Sequence, residues 1–203
     1  IPTRDQLIVN TPEKFSGLTG AEVVTGVEAV GLDAEQKTLS VCGEDGAVYQ
    51  EGYDKLVIAT GASPVVPKLE GCDLPGVFTM RTPDDAQGVK DYIKEHSCRT
   101  ALVVGCGFIG LEVGENLQKL GLNVTMIDFA DQILPGIFDS EMAEYAKRQL
   151  TASGSKILLG TALSKVEKTA ECFSVTTTNG YLNTDLVVLC IGVRPNTGFL
   201  ADT

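Results

Sequence analysis

The sequence predicts an α/β fold, a Rossmann-like parallel sheet with helices against it and an antiparallel β-meander beside it. Three observations predict this. Between Arg81 and Gly154 helix-type and strand-type patterns alternate, as in parallel strands linked by crossover helices. The stretch "TALVV" from Thr100 is short and almost wholly apolar, the pattern of a strand covered on both faces. The segments flanking this middle part are alike in pattern, which points to two domains of one type.

The elements follow in order. Arg81 to His96 reads as a helix, with Thr82 as its cap, Pro83 at the first position and Asp85 at the third, near the positive end. After "TALVV", the residues Ile109, Val113, Leu117 and Leu120 recur at helical spacing and Gly121 stops the helix. "NVTMID" from Asn123 is the next strand. Asp139 or Ser140 caps a further helix that ends at Gly154, with Met142, Ala146 and Leu150 on one face.

Each flank has a short strand with a glycine (Gly26, Gly160), then a hairpin with Asp-Gly or Asn-Gly at its tip (Gly46, Gly180). Each then has an aspartate and an apolar strand ending in glycine (Asp54 to Gly61; Asp185 to Gly192), followed by a proline (Pro64, Pro195). The interval between matched positions is almost constant. Chance likeness of two β-meanders is the plainer alternative. The second copy has a glycine-rich head at Gly105, whereas the first shows only its tail, so its head is expected upstream of Ile1. The chain then reads as a segment of a longer protein.

The chain has 203 residues and a net charge of -11. That charge repels a phosphate polymer, so nucleic acid is not an expected partner. No apolar run is long enough to span a membrane, and no cationic and apolar leader is visible, so a cytoplasmic location is expected. Of the six cysteines none forms a CxxC pair, and with a single histidine, His96, no metal site is expected.

Gly105-Cys106-Gly107-Phe108-Ile109-Gly110 matches GxGxxG in its confirming context, after a strand and at the start of a helix that leads to a second strand. Gly105 permits the tight turn, Gly107 lets the backbone approach a pyrophosphate, and Gly110 lets the helix pack on the sheet. The helix N-terminus offers N–H groups and partial positive charge to the phosphates. A glycine turn kept only for packing is the plainer reading. Asp128 ends the second strand, where an acid accepts from the adenine ribose hydroxyls of NAD and repels the 2′-phosphate of NADP. Residues 129–134 carry no Arg or Lys to reverse that preference. A solvated strand-end aspartate is the alternative.

"YDKLVIATGASPVVP", "VVGCGFIGLE", "ADQILP", "DLVVLCIGVRPNT" and "LIVNTPEKF" together resemble the flavin-dependent pyridine nucleotide–disulfide oxidoreductases, in the branch of coenzyme A-disulfide reductases and NADH oxidases or peroxidases. The resemblance covers essentially the whole chain but only the middle of such an enzyme. It implies residues 1–67 as the β-rich tail of an FAD-binding domain, 68–192 as the NAD-binding domain, and 193–203 as the return crossover. It implies NAD(H) as cofactor here and FAD in the full-length homodimeric parent. Ala59, Thr60 and Gly61 match the outgoing crossover near the flavin, and Gly192 to Asn196 the return, with Gly192 close to bound nicotinamide dinucleotide. Phe108 matches the aromatic position that covers the flavin, and Glu112 the acid that orients the nicotinamide carboxamide. A core aromatic and a surface charge are the plainer readings of these two.

By the same resemblance the first glycine motif, the later Gly-Asp motif, the redox cysteine and the dimerisation domain all lie outside the chain, so no catalytic residue is expected within it. The expected reaction is hydride transfer from NADH to FAD and on to a disulfide, a cysteine sulfenic acid or oxygen. An isolated NADH-binding module without activity is the second reading. A short-chain dehydrogenase is the third, and it lacks a Tyr-x-x-x-Lys pair. Cys106 sits where a helix N-terminus would stabilise a thiolate, yet reads as a small spacer between glycines. Cys190 reads as buried filler, and His96 as a favourable charge at a helix end.

Overall fold

The computed structural model describes residues 7–201. The chain falls into two units, residues 64–194 and the flanks on either side of that stretch.

The unit of residues 64–194 is built on a five-stranded parallel sheet. Numbering strands in chain order, β5 (Val77–Thr79), β12 (Leu186–Leu189), β6 (Thr100–Val104), β7 (Asn123–Ile127) and β8 (Lys156–Leu158) lie side by side in that order. Alternation along β6 sorts the core into two layers. Ala101 and Val103 face a cluster with Val89, Val113, Leu117 and Ala143, contributed by helices α2 (Pro83–Glu95), α3 (Phe108–Lys119) and α4 (Ser140–Ala152). Leu102 and Val104 face Val166, Phe173 and Val175 of an antiparallel meander, β9 (Leu163–Lys168), β10 (Phe173–Thr177) and β11 (Gly180–Thr184). Burial on both faces explains why "TALVV" is apolar throughout instead of alternating.

The helix starts agree with the sequence signals. Thr82 and Asp85 form a reciprocal capping box on α2, and the Asp139 carboxylate accepts from Met142 N–H at 2.9 Å to cap α4. The buried faces differ from expectation. On α3 the buried residues are Gly110, Val113, Gly114 and Leu117, while Ile109 and Leu120 are exposed. A Cβ on Gly110 would strike the Gly105 carbonyl, and one on Gly114 would press on the Met126 sulfur, so the helix approaches the sheet along its glycines. A count of apolar side chains cannot register such a face. On α4 the buried residue is Ala143; Met142, expected inward, is exposed, whereas Ala146 and Leu150 pack on the core.

Asp185, at the turn between β11 and β12, fastens the amino end of β6. Its carboxylate accepts from Arg99 N–H, Thr100 N–H and Thr100 Oγ1–H at 2.8, 2.8 and 2.9 Å. Burial alone would raise its pKa, but these three donors and nearby Lys168 outweigh it and hold the carboxyl below the ordinary aspartate value. Asp185→Ala is expected to cost about 2 kcal/mol in denaturant unfolding at neutral pH, since charged hydrogen bonds contribute roughly 1.5–3 kcal/mol. A carboxyl with a lowered folded-state pKa stabilises above its unfolded value and ceases to as pH falls through the folded value. The gap between wild type and variant should therefore close in acid, and a gap that stays constant with pH would refute this role.

In the flanking unit, α1 (Pro12–Thr19) is capped by Thr11 and precedes an antiparallel meander, β1 (Val27–Asp33), β2 (Thr38–Gly43) and β3 (Val48–Gly52). Its order matches that of β9 to β11, and Gly26, Gly46, Gly160 and Gly180 all have positive φ, so the repeat seen in sequence is a repeat of structure. The likeness stops at the last strand. Leu186–Leu189 is a strand, but its counterpart at residues 55–59 is not. Those residues have no ladder partner among the described residues, and Val57 is 86% exposed. Ala62–Pro64 (β4) and Val193–Pro195 (β13) pair as a two-stranded sheet.

Candidate functional site

Sheet register assembles the site. Val104 pairs with Ile127 and with Leu189, so the next residues, Gly105, Asp128 and Cys190, emerge together at the carboxyl edge. Two bonds fix them: Gly105 N–H donates to the Ile127 carbonyl at 2.8 Å, and Cys190 N–H to the Val104 carbonyl at 2.7 Å. This edge is where open parallel sheets hold ligands.

Gly105 turns the chain with φ +107, a conformation that excludes side chains, and a Cβ there would meet the Cys190 carbonyl. Gly107, the N-cap of α3, meets nothing within 4 Å of where a Cβ would stand. Among the described residues no side chain caps α3, in contrast to α1, α2 and α4. Its first-turn N–H groups carry partial positive charge at the mouth of a cleft of about 430 Å³.

The cleft brings together Gly105, Gly107, Phe108, Ile109, Asp128 and Gly192 from the expected set. Gly110 lies beneath it, buried, where it permits the close packing of helix and turn. Glu112 is exposed on α3 and is not part of the cleft lining. Gly192 has φ +114 and open space in front of it, and its carbonyl accepts from Val65 N–H at 3.0 Å. Ala59, Thr60 and Gly61 belong to the other unit. There Thr60 Oγ1–H donates to the Asn196 carbonyl at 2.7 Å, Asn196 Nδ2–H returns to Thr60 O at 3.1 Å, and Asn196 N–H donates to Gly61 O at 3.0 Å.

Asp128 is not a solvated strand-end carboxylate. It is 8% exposed, and its two oxygens accept from Cys106 N–H at 2.6 Å and Ala130 N–H at 2.9 Å. Each oxygen keeps a further acceptor direction. The acid thus braces the glycine turn as well as bordering the cleft.

Cys106 is fully buried beside Asp128, and burial, that carboxylate and Cys190 push its thiol up to about 12. At neutral pH it is a thiol and not a nucleophile. Burial likewise holds Cys190 at about 12, although Cys190 is only partly buried and lines the cleft, where filler of the core was expected. All six cysteines are free. His96 caps α2 and stacks on Tyr92, with ring centroids 4.0 Å apart.

Phe129, Leu134, Pro135, Ile137 and Ile191 also line the cleft and were not singled out from sequence. Leu134 holds φ +49, and its N–H donates to the Cys106 carbonyl at 3.0 Å, which ties the loop after β7 to the glycine turn. A leucine in the left-handed region carries no sequence signal. The one available clue was the run "ADQILP", whose apolar residues have no place in a helix or strand. Among the described residues no helix is long and apolar enough to cross a membrane, and no His, Cys, Asp and Glu cluster could hold a metal ion.

A parallel sheet with a glycine turn, an uncapped helix and an acid at the next strand end defines a dinucleotide-binding class of α/β protein. The chain belongs to the pyridine nucleotide-disulphide oxidoreductase family, whose sequence pattern matches residues 4–203. It is 35% identical over 196 residues to an NADH oxidase of Methanocaldococcus jannaschii, covering 97% of this chain and 44% of that protein. The structure of a water-forming NADH oxidase from Lactobacillus brevis bound to NADH superposes with a TM-score of 0.90 at 31% identity, over 98% of this chain and 44% of that one. An engineered NADPH oxidase derived from that enzyme, bound to NADPH, superposes with a TM-score of 0.89 at 30% identity, with the same coverage. The chain thus spans less than half the length of these relatives.

Proposed function

We propose that this chain is the NADH-binding portion of a flavoprotein oxidoreductase that passes hydride from NADH to FAD and on to a disulfide, a cysteine sulfenic acid or oxygen. The observation that carries the proposal is the uncapped start of α3 facing open space at Gly107, with the Asp128 carboxylate on the same cleft. Nicotinamide and flavin supply the hydride chemistry when bound, and the protein supplies position and electrostatics.

In this reading Gly105, Gly107 and the first N–H groups of α3, at Phe108 and Ile109, hold the pyrophosphate, over the helix packing that Gly110 allows. Asp128 accepts from the adenine ribose hydroxyls and repels a 2′-phosphate. Phe108, 56% exposed on the cleft, covers the flavin face, and Glu112 orients the carboxamide. Gly192 borders the nicotinamide, and Ala59, Thr60 and Gly61 border the flavin in the FAD domain of a homodimeric parent. The engineered NADPH oxidase supports the role of Asp128. The glycine, aspartate and proline replaced there have the same spacing as Gly110, Asp128 and Pro135, and the residue after the aspartate became arginine.

The test is a visible spectrum and a calorimetric titration of the purified chain. A colourless preparation that binds NADH at sub-millimolar concentration, and NADPH at least tenfold more weakly, is expected. Absence of NADH binding at millimolar concentration would overturn the site. A yellow preparation would overturn the assignment of flavin retention to the longer parent. Residues 64–194 contain their own sheet and both core layers, which favours a second use of the chain as a binding module without catalysis.

A further inference from the structure

Leu134 holds its backbone in the left-handed region, with φ +49. Among the described residues only two other non-glycine residues have positive φ, Lys37 and Ser97, and both are exposed. Leu134 is the buried one, at 4% exposure, and it lies on the cleft. A bulky residue in this region is strained, and residues held so collect where a ligand is clamped. Three bonds hold Leu134 there. Its N–H donates to the Cys106 carbonyl at 3.0 Å, and its own carbonyl accepts from Ile137 N–H at 3.1 Å and Phe138 N–H at 3.3 Å. The result is a change of direction. Ile133, one residue earlier, is fully buried in the helix-side core, while Pro135 and Ile137, just after, stand exposed on the cleft. The bond to Cys106 carries this constraint to the facing wall. The Cys106 backbone is fixed by Asp128 at its N–H and by Leu134 at its carbonyl, and it links Gly105 to Gly107.

We propose that Leu134 is a positioning residue for coenzyme binding: its left-handed backbone fixes the wall of Pro135 and Ile137 against the glycine turn before the coenzyme arrives. The proposal rests on the reading above, which places NADH in this cleft. It assigns the task to the backbone of Leu134 and not to its side chain, so the two are separable by substitution. Isoleucine keeps the apolar volume, but its branched Cβ makes the left-handed region a severe outlier. Glycine adopts that region freely and asparagine tolerates it, while neither offers the apolar side chain.

The experiment titrates the whole chain with NADH by calorimetry, as wild type, Leu134→Ile, Leu134→Gly and Leu134→Asn, and records a thermal melt of each. Leu134→Ile should weaken NADH by about 5- to 30-fold, because the loop holds the competent turn for a smaller fraction of the time. Leu134→Gly and Leu134→Asn should bind within about threefold of wild type, since the turn is kept. Melting should run the other way. The glycine and asparagine variants lose a buried apolar side chain and should melt below Leu134→Ile. A residue that served packing alone would show affinity falling in step with melting temperature, so the reversed order is the signature of the backbone role. Either left-handed variant suffices for the contrast if the other does not fold. Affinity that follows melting temperature through the series, or Leu134→Ile binding as wild type does, would overturn the proposal. If wild type itself binds no NADH, the reading of the cleft fails, and this proposal with it. If wild type binds and only the reversal is missing, the cleft stands and the role of Leu134 alone is refuted.

Discussion

Gly105→Ala is expected to lower stability by about 3 kcal/mol and to abolish NADH binding. Two costs coincide at this residue. The backbone sits at φ +107, where an L side chain is strained by about 1–3 kcal/mol. The added methyl would also run into the Cys190 carbonyl, a backbone atom just past the adjoining strand that cannot swing aside. For a protein of this size each kcal/mol corresponds to roughly 2–4 °C in melting temperature, so the loss should be plain in a thermal scan. Gly107→Ala is the informative contrast. Its φ is -78 and nothing stands within 4 Å of the new methyl, so melting should stay near wild type while NADH affinity falls. Equal melting temperatures for Gly105→Ala and wild type would show that the turn is not held as described.

Replacing Asp128 should reverse the coenzyme preference, and the structure separates its two contributions. In Asp128→Arg the expected outcome is NADH binding weaker by about 10- to 100-fold and NADPH bound at least as well as NADH, from loss of a charged hydrogen bond and of a like-charge contact. The same change strips Cys106 N–H of its acceptor inside a fully buried residue, at about 1–3 kcal/mol of stability. Asp128→Asn keeps one oxygen for Cys106 N–H and removes the charge, but turns its amide N–H2 toward the second donor, Ala130 N–H. It should lose up to about 1–3 kcal/mol of stability for that unpaired N–H, yet narrow the gap between NADH and NADPH, read as the ratio of two Kd values from calorimetry. An unchanged ratio in Asp128→Asn would mean that the carboxylate serves the turn and not the ribose.

Features governed by local chemistry were legible in the sequence. The Thr82–Asp85 box, the Asp139 cap, the doubly buried β6 and the Asp-Gly and Asn-Gly hairpins each depend on residues a few positions apart, and each stands where it was expected. Features governed by long-range contact were not. Ile109 and Leu120 fit the helical period, but α3 meets the sheet along Gly110 and Gly114, which a period of apolar side chains leaves out. Residues 55–59 have the composition of a strand, yet a strand exists only with a partner. The glycine turn and Asp128 were legible because their spacing is dictated by a single strand–helix–strand unit. The other wall of the cleft was not, because Leu134 and its neighbours follow a path set by one bond to Cys106 across the fold.

The pairing of β4 with β13 has a bearing on how such a chain is put together. The polypeptide enters and leaves the 64–194 unit along adjacent hydrogen-bonded strands. A host needs only a narrow gap in one surface to accept a guest whose ends lie so close, and the guest can complete its own core without borrowing from the host. The geometry is that of a cassette. Gene fusions that splice this stretch into an exposed loop of an unrelated protein would transplant it whole, whereas its flanks, divided on the two sides of the splice, would have to find each other again.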